Sequence, residues 1–90
     1  MIRLCGQLIC QTSEQTARVA HHLPEHTRLS RAEAGCIRFD VRQTDDPLIW
    51  QVDETFTDRA AFDAHQQRTR ASVWWAATAD IRREFTVSDS

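Results

Sequence analysis

Four stretches of the chain place apolar residues at every second position, and the segments between them carry helical spacing. Residues 2–11 set Ile2, Leu4, Gly6, Leu8 and Cys10 against Arg3, Cys5, Gln7, Ile9 and Gln11, which predicts a strand with one apolar face. Residues 36–43 set Ile37, Phe39 and Val41 against Arg38, Asp40 and Arg42, and residues 81–88 alternate through Arg83, Phe85 and Val87. Residues 48–56 put Leu48, Trp50, Val52, Glu54 and Phe56 on one face, because side chains alternate along a strand. Thr44-Asp45-Asp46-Pro47 is turn chemistry, so the two middle strands form a hairpin.

The helical segments have equally local signals. Thr12 with Gln15 reads as an N-cap and capping box opening a helix whose apolar side is Ala17, Val19, Ala20, Leu23 and Leu29. Pro24 removes a hydrogen bond from its middle and predicts a kink or restart, and Ala34-Gly35 ends it. Thr57-Asp58 caps a second helix through Ala60, Ala61, Phe62, Ala64 and His65, and residues 71–79 form a further helical piece with Trp74 and Trp75. The order is βαββαβ. With right-handed crossovers it folds most simply as an α+β, ferredoxin-like domain over residues 1–90, with both helices on one face of a four-stranded antiparallel sheet.

Composition narrows the function classes. The chain has 90 residues and a hydrophobic content of 41%, enough for one modest core, which makes a homodimer the default expectation. The formal charge is -2, all 11 basic residues are arginine, and none cluster, so nothing points to nucleic acid. No apolar run approaches the ~20 residues that cross a bilayer and no signal-peptide pattern opens the chain; a cytoplasmic protein is expected. Cys5, Cys10 and Cys36 are odd in number and lack CxxC spacing, which argues for reduced residues over a disulfide framework or zinc site.

Glu54 is the outlier. A carboxylate in an apolar row must be protonated, paired or at a cavity edge, and His65, on the next helix, is the expected partner. The pair suits proton transfer, the carboxylate fixing the imidazole tautomer and His65 accepting a proton from a phenol or enol. The alternative is a buried pair that only satisfies two polar groups. Adjacent helical residues differ by about 100°, so one of Trp74 and Trp75 packs inward while the other is available to a pocket or dimer contact. Trp50 and Phe39 belong to the apolar rows of the sheet. His22 and His26 share helical spacing, but Pro24 lies between them and no further ligand is adjacent, so His21, His22 and His26 read as solvated surface and no metal is expected. Arg68 and Arg70 read as exposed helix charges that would meet an anionic substrate if a pocket opens at that end.

Glu33-Ala34-Gly35-Cys36-Ile37-Arg38-Phe39, then Asp46-Pro47, Glu54-Thr55-Phe56 and Ala60-Ala61-Phe62-Asp63-Ala64-His65 together resemble the antibiotic biosynthesis monooxygenase family. The resemblance implies a ferredoxin-like subunit that dimerises through its sheets as a dimeric α+β barrel. The family includes quinol and polyketide-tailoring oxygenases, haem-degrading enzymes and an isomerase. Its phenol-oxidising members resemble cofactor-free oxygenases whose pocket uses asparagine, tryptophan and tyrosine. This chain has no Asn and no Tyr, so Trp74 or Trp75 answers for the tryptophan and Gln7 stands in for the amide. Thr78 lies where haem-degrading relatives place a ligating histidine, so haem is not expected. The resemblance thus implies a homodimeric, cofactor-independent monooxygenase acting on a small quinol-like or phenolic aromatic; this chain's own residues put forward Glu54 and His65 as catalytic candidates and Trp74, Trp75, Trp50, Phe39 and Gln7 as the pocket. An isomerase or tautomerase of a small enolisable molecule and a non-catalytic ligand-binding dimer are the alternatives.

Overall fold

A computed structural model describes residues 1–90. The elements follow the expected order: β1 (Ile2–Ile9), α1 (Ser13–Arg31), β2 (Cys36–Gln43), β3 (Ile49–Phe56), α2 (Arg59–Arg70), α3 (Val73–Thr78) and β4 (Arg82–Asp89). The strands form one antiparallel sheet in the order β2-β3-β1-β4, the ferredoxin-like arrangement. The core lies between this sheet and the helices, built on Ile2, Leu4, Leu8, Val52 and Phe56 from the strands and Val19, Phe62 and Trp74 from the helices. Burying each large side chain contributes about 1.5–3 kcal/mol. No helix is long and apolar enough to cross a membrane.

Helix starts obey their caps. Thr12 Oγ1 accepts from Gln15 N, while Gln15 Oε1 reaches back to accept from Gln11 N at 2.7 Å. Asp58 Oδ1 accepts from Ala61 N, and Ser72 Oγ from Trp75 N. Contrary to the expected restart, α1 runs unbroken through Pro24. The ring is exposed, so the carbonyl that loses its partner is on the solvent side, and packing of Val19, Leu23, His26 and Ser30 holds the two halves in one line. The helix also stops earlier than expected, at Arg31, with Ala32 as its cap. Gly35 does adopt a positive φ of 110°, but in the turn leading into β2. A side chain there would stand 2.6 Å from Ala61 Cβ, so this turn sits hard against the start of α2.

The apolar row of β2 differs from expectation at one residue. A bulge between Cys36 and Arg38 breaks the pairing with β3, and Ile37 is 54% exposed instead of facing the helices with Phe39. Phe39 and Val41 keep the inward face. The outer face of the sheet is charged as expected, with Arg38 paired to Asp40 and Arg42 beside Asp53 on β3. Phe85 and Val87 of the edge strand β4 point to the helix side, opposite Gly6 and Leu4 of β1, yet remain partly exposed because no helix reaches over them. All three cysteines are unpaired.

Candidate active site

Glu54 stands in the inward row of β3, flanked in register by Leu4 of β1 and Phe39 of β2. His65 lies on the buried stripe of α2 with Phe62 and Thr69. Burial of Glu54 is thus forced by strand parity, and burial of His65 by helical spacing from the Asp58 cap. The partner that grips the imidazole is nevertheless Glu33, from the turn after α1: its Oε1 lies 2.6 Å from His65 Nδ1. Glu54 Oε1 lies 3.4 Å from His65 Nε2 and makes no hydrogen bond of good geometry there or elsewhere, despite being buried. The expectation that Glu54 fixes the imidazole is corrected accordingly, because the turn brings Glu33 closer. Glu33 is itself held, accepting from Arg68 Nε at 2.8 Å, and Arg68 also donates to Ser30 Oγ. The Phe56 ring packs 4.9 Å from the imidazole centroid.

This environment sets the charge of His65. Burial pulls its pKa down, but the carboxylates Glu54 and Glu33 beside its two ring nitrogens outweigh that, and the net shift is upward. Its Nδ1–H is committed to Glu33, leaving Nε2 to exchange a proton with Glu54, with Thr69 Oγ1 at 3.4 Å, or with a ligand. Glu33 and Glu54 address opposite nitrogens, so the trio does not converge on a point, and no other three His, Cys, Asp or Glu side chains are grouped to hold a metal ion.

Glu54 and His65 open onto a cavity of about 170 Å³ under the sheet. Phe39, Trp74 and Trp75 line it, with Leu4, Leu8 and Phe85 closing the apolar side. Two of the expected pocket residues are elsewhere. Gln7 has the opposite parity from Leu4 and Leu8 and faces the outer side of the sheet. Trp50 is spent in the core, its indole N–H donating to Thr16 Oγ1 at 2.9 Å. Both tryptophans of α3 contribute, Trp74 buried and Trp75 half-buried beneath the Arg83 guanidinium.

Three residues of the site have little signature in the sequence. His26, expected on a solvated surface with His21 and His22, is 4% exposed and stacks face to face on Trp74 at 4.6 Å. Burial first, and then the charges of Arg68, His65 and Arg83, push its pKa down to about 3, so the ring is neutral, and its Nδ1 has no partner. The signal was the i, i+3/i+4 series Val19, Leu23, His26, Ser30, obscured because its last members are polar. Arg83 sits in an alternating strand among residues of mixed character, and Glu33 sits in a turn with no period at all. Thr78 is buried and donates to the Trp74 carbonyl at 2.7 Å, so that position packs α3 and offers no ligating nitrogen.

The model of the antibiotic biosynthesis monooxygenase family matches residues 10–77 of the chain. No curated protein matches it in sequence. Among solved structures, a Nitrosomonas europaea protein described as an antibiotic biosynthesis monooxygenase superposes with a TM-score of 0.86 at 22% identity, over 100% of this chain and 98% of that one. One of the same description from Deinococcus radiodurans gives 0.78 at 18% identity, over 100% and 92%. A cofactor-independent oxygenase from Streptomyces nogalater gives 0.80 at 12% identity, over 99% and 91%. At such identities these likenesses are of fold.

Proposed function

The chain belongs to the antibiotic biosynthesis monooxygenase family, and from that premise we propose that it is a cytoplasmic, homodimeric, cofactor-independent monooxygenase acting on a single-ring quinol or phenol. The observation that carries this reading is the Glu54 Oε1 atom, buried and unsatisfied on an aromatic cavity wall 3.4 Å from His65 Nε2. A buried acceptor without a donor costs about 1–3 kcal/mol, and a phenolic hydroxyl seated there would relieve it. The hydroxyl donates to Glu54 Oε1 and accepts from protonated His65 Nε2. Moving the proton to Glu54 leaves a phenolate beside the imidazolium, whose charge Glu33 secures from the other side.

An electron-rich phenolate is itself the reductant for oxygen. One oxygen atom enters the ring as a carbonyl and the other leaves as water, all the electrons coming from the phenol as it becomes a quinone, so the protein's part is to bind, deprotonate and exclude bulk water. Ring number follows from volume: an apolar cavity of ~150 Å³ takes up benzene, and about 170 Å³ suits one ring with its substituents. Oxygen-electrode assays should show uptake with single-ring hydroquinones and little with fused-ring phenols, and Glu54→Gln should lower kcat by about 100-fold or more. Enol interconversion without oxygen uptake would replace this reading with an isomerase using the same pair, and saturable binding without turnover would replace it with a ligand carrier.

A further inference from the structure

The cavity has a second polar end that the proton transfer does not use. Arg83, on β4, lines it together with Arg70 of α2, and neither side chain has a carboxylate within ion-pair distance. Glu84, the nearest acid to Arg83 in sequence, has the opposite parity on β4 and is paired with Arg82, and Asp80 is engaged by both terminal nitrogens of Arg18 at 3.0 Å. Glu33 is likewise engaged, by Arg68. Arg83 is only partly exposed, and burial lowers its pKa, a mark of a cation short of compensation. It is also held still. Its Nη1 donates to the carbonyls of Thr78 and Ile81, its Nη2 to Thr78 Oγ1, and the guanidinium lies 4.8 Å above the Trp75 ring. The Nε–H has no acceptor within the protein.

The register gives the spacing between this end and the proton-accepting end. Glu54 pairs with Leu4 and Arg83 with Leu8, on opposite sides of β1. Four residues along the strands and two strand spacings across them separate the pair, roughly 16 Å at the backbone, and both side chains then reach into the same cavity. That leaves about a ring's length between a carboxylate acceptor at one end and a preorganised guanidinium at the other. We infer that the ring bound here carries an anionic substituent, a carboxylate in the simplest case, seated on Arg83 with Arg70 beside it, while its hydroxyl meets Glu54 and His65. The inference rests on the proposed function for the ligand's hydroxyl end; the anion end rests on Arg83, Arg70 and the cavity alone. Arg is suited to this because its planar fork matches a carboxylate.

Calorimetric titration of the wild-type protein with a dihydroxybenzoate, its methyl ester and unsubstituted hydroquinone tests it. The acid should bind at least about tenfold more tightly than the ester, a difference of about 1.4 kcal/mol. Arg83→Met should bring that acid-to-ester ratio close to one, and Arg83→Lys should retain part of it. An ester bound as tightly as the acid, or a ratio unchanged in Arg83→Met, overturns the inference and leaves Arg83 as an anchor for the end of α3. If Arg83→Met does not fold, the wild-type acid-to-ester comparison and the same ratio in Arg70→Met decide. Preference for the acid without oxygen uptake would sink the oxygenase reading and keep the anion site; oxygen uptake with neutral quinols and no preference for the acid would do the reverse.

Discussion

Glu33, His65 and Glu54 form a line in which an imidazole is gripped at one nitrogen and left available at the other, and His26 waits nearby as a neutral ring. The two histidines make opposite demands on pH. His65 has a raised pKa in the fold, so its contribution to stability is complete below the ordinary histidine value of about 6.5 and is lost as pH rises through the raised value. His26 is held neutral with a pKa of about 3, so below about 6.5 the unfolded chain takes up a proton that the fold refuses, and stability falls by up to about 1.4 kcal/mol per pH unit. Tm against pH should therefore peak near mildly acidic to neutral pH. His65→Gln should flatten the alkaline limb and His26→Leu the acid one; a Tm still climbing steadily through the alkaline range would contradict the charged state assigned to His65. At this scale the sequence was legible where a residue broke a pattern. Glu54 interrupts an apolar row and His65 lies one helical step from Phe62, whereas Glu33 owes its place to a turn whose geometry no periodicity encodes.

Among the elements, β1 shows how closely the sheet is drawn together around the cavity. Gly6 pairs with Val52 on one side and Phe85 on the other, and a Cβ built on it would stand 1.9 Å from the Glu84 carbonyl oxygen. Only a side chain of hydrogen lets β4 approach, and backbone cannot move aside as a flexible side chain can. Gly6→Ala should cost about 3 kcal/mol or more, read as a lowered denaturant midpoint, with β4 amides losing hydrogen-exchange protection first; an unchanged midpoint would show that the strands can part without penalty. Alternation and caps made every strand and helix readable to within a few residues. The bulge at Ile37 and the unbroken course of α1 were not, because the first depends on how β2 meets the end of β3 and the second on tertiary packing that offsets the lost hydrogen bond at Pro24.

Over the whole molecule, only 18 of 90 residues are buried, a thin core for an independent chain. The outer sheet face and the partly uncovered Phe85 and Val87 both offer surface to a second copy. Ile37, pushed onto the outer face by the bulge, lies close to Met1, Arg3 and Cys5 there. Light scattering on the purified protein should give about twice the 10.4 kDa of one chain, and Ile37→Asp should shift the population toward monomer with the circular dichroism unchanged. A monomeric wild type at tens of micromolar would remove the sheet-to-sheet dimer. Fold and family were legible because many weak local signals agreed, while the anion end of the cavity needed the register that brings a β4 arginine and a β3 glutamate to one space.

The tryptophans have a consequence of another kind. Trp50 is sealed against Thr16, away from the cavity, while Trp74 lies flat on a neutral imidazole and Trp75 lies under a guanidinium, both on the cavity wall. Indole emission depends on the charges and rings in contact with it, so one fluorophore supplies a steady background and two respond to whatever enters. The molecule carries a built-in optical gauge of its own occupancy, and binding can be followed by light with no label attached.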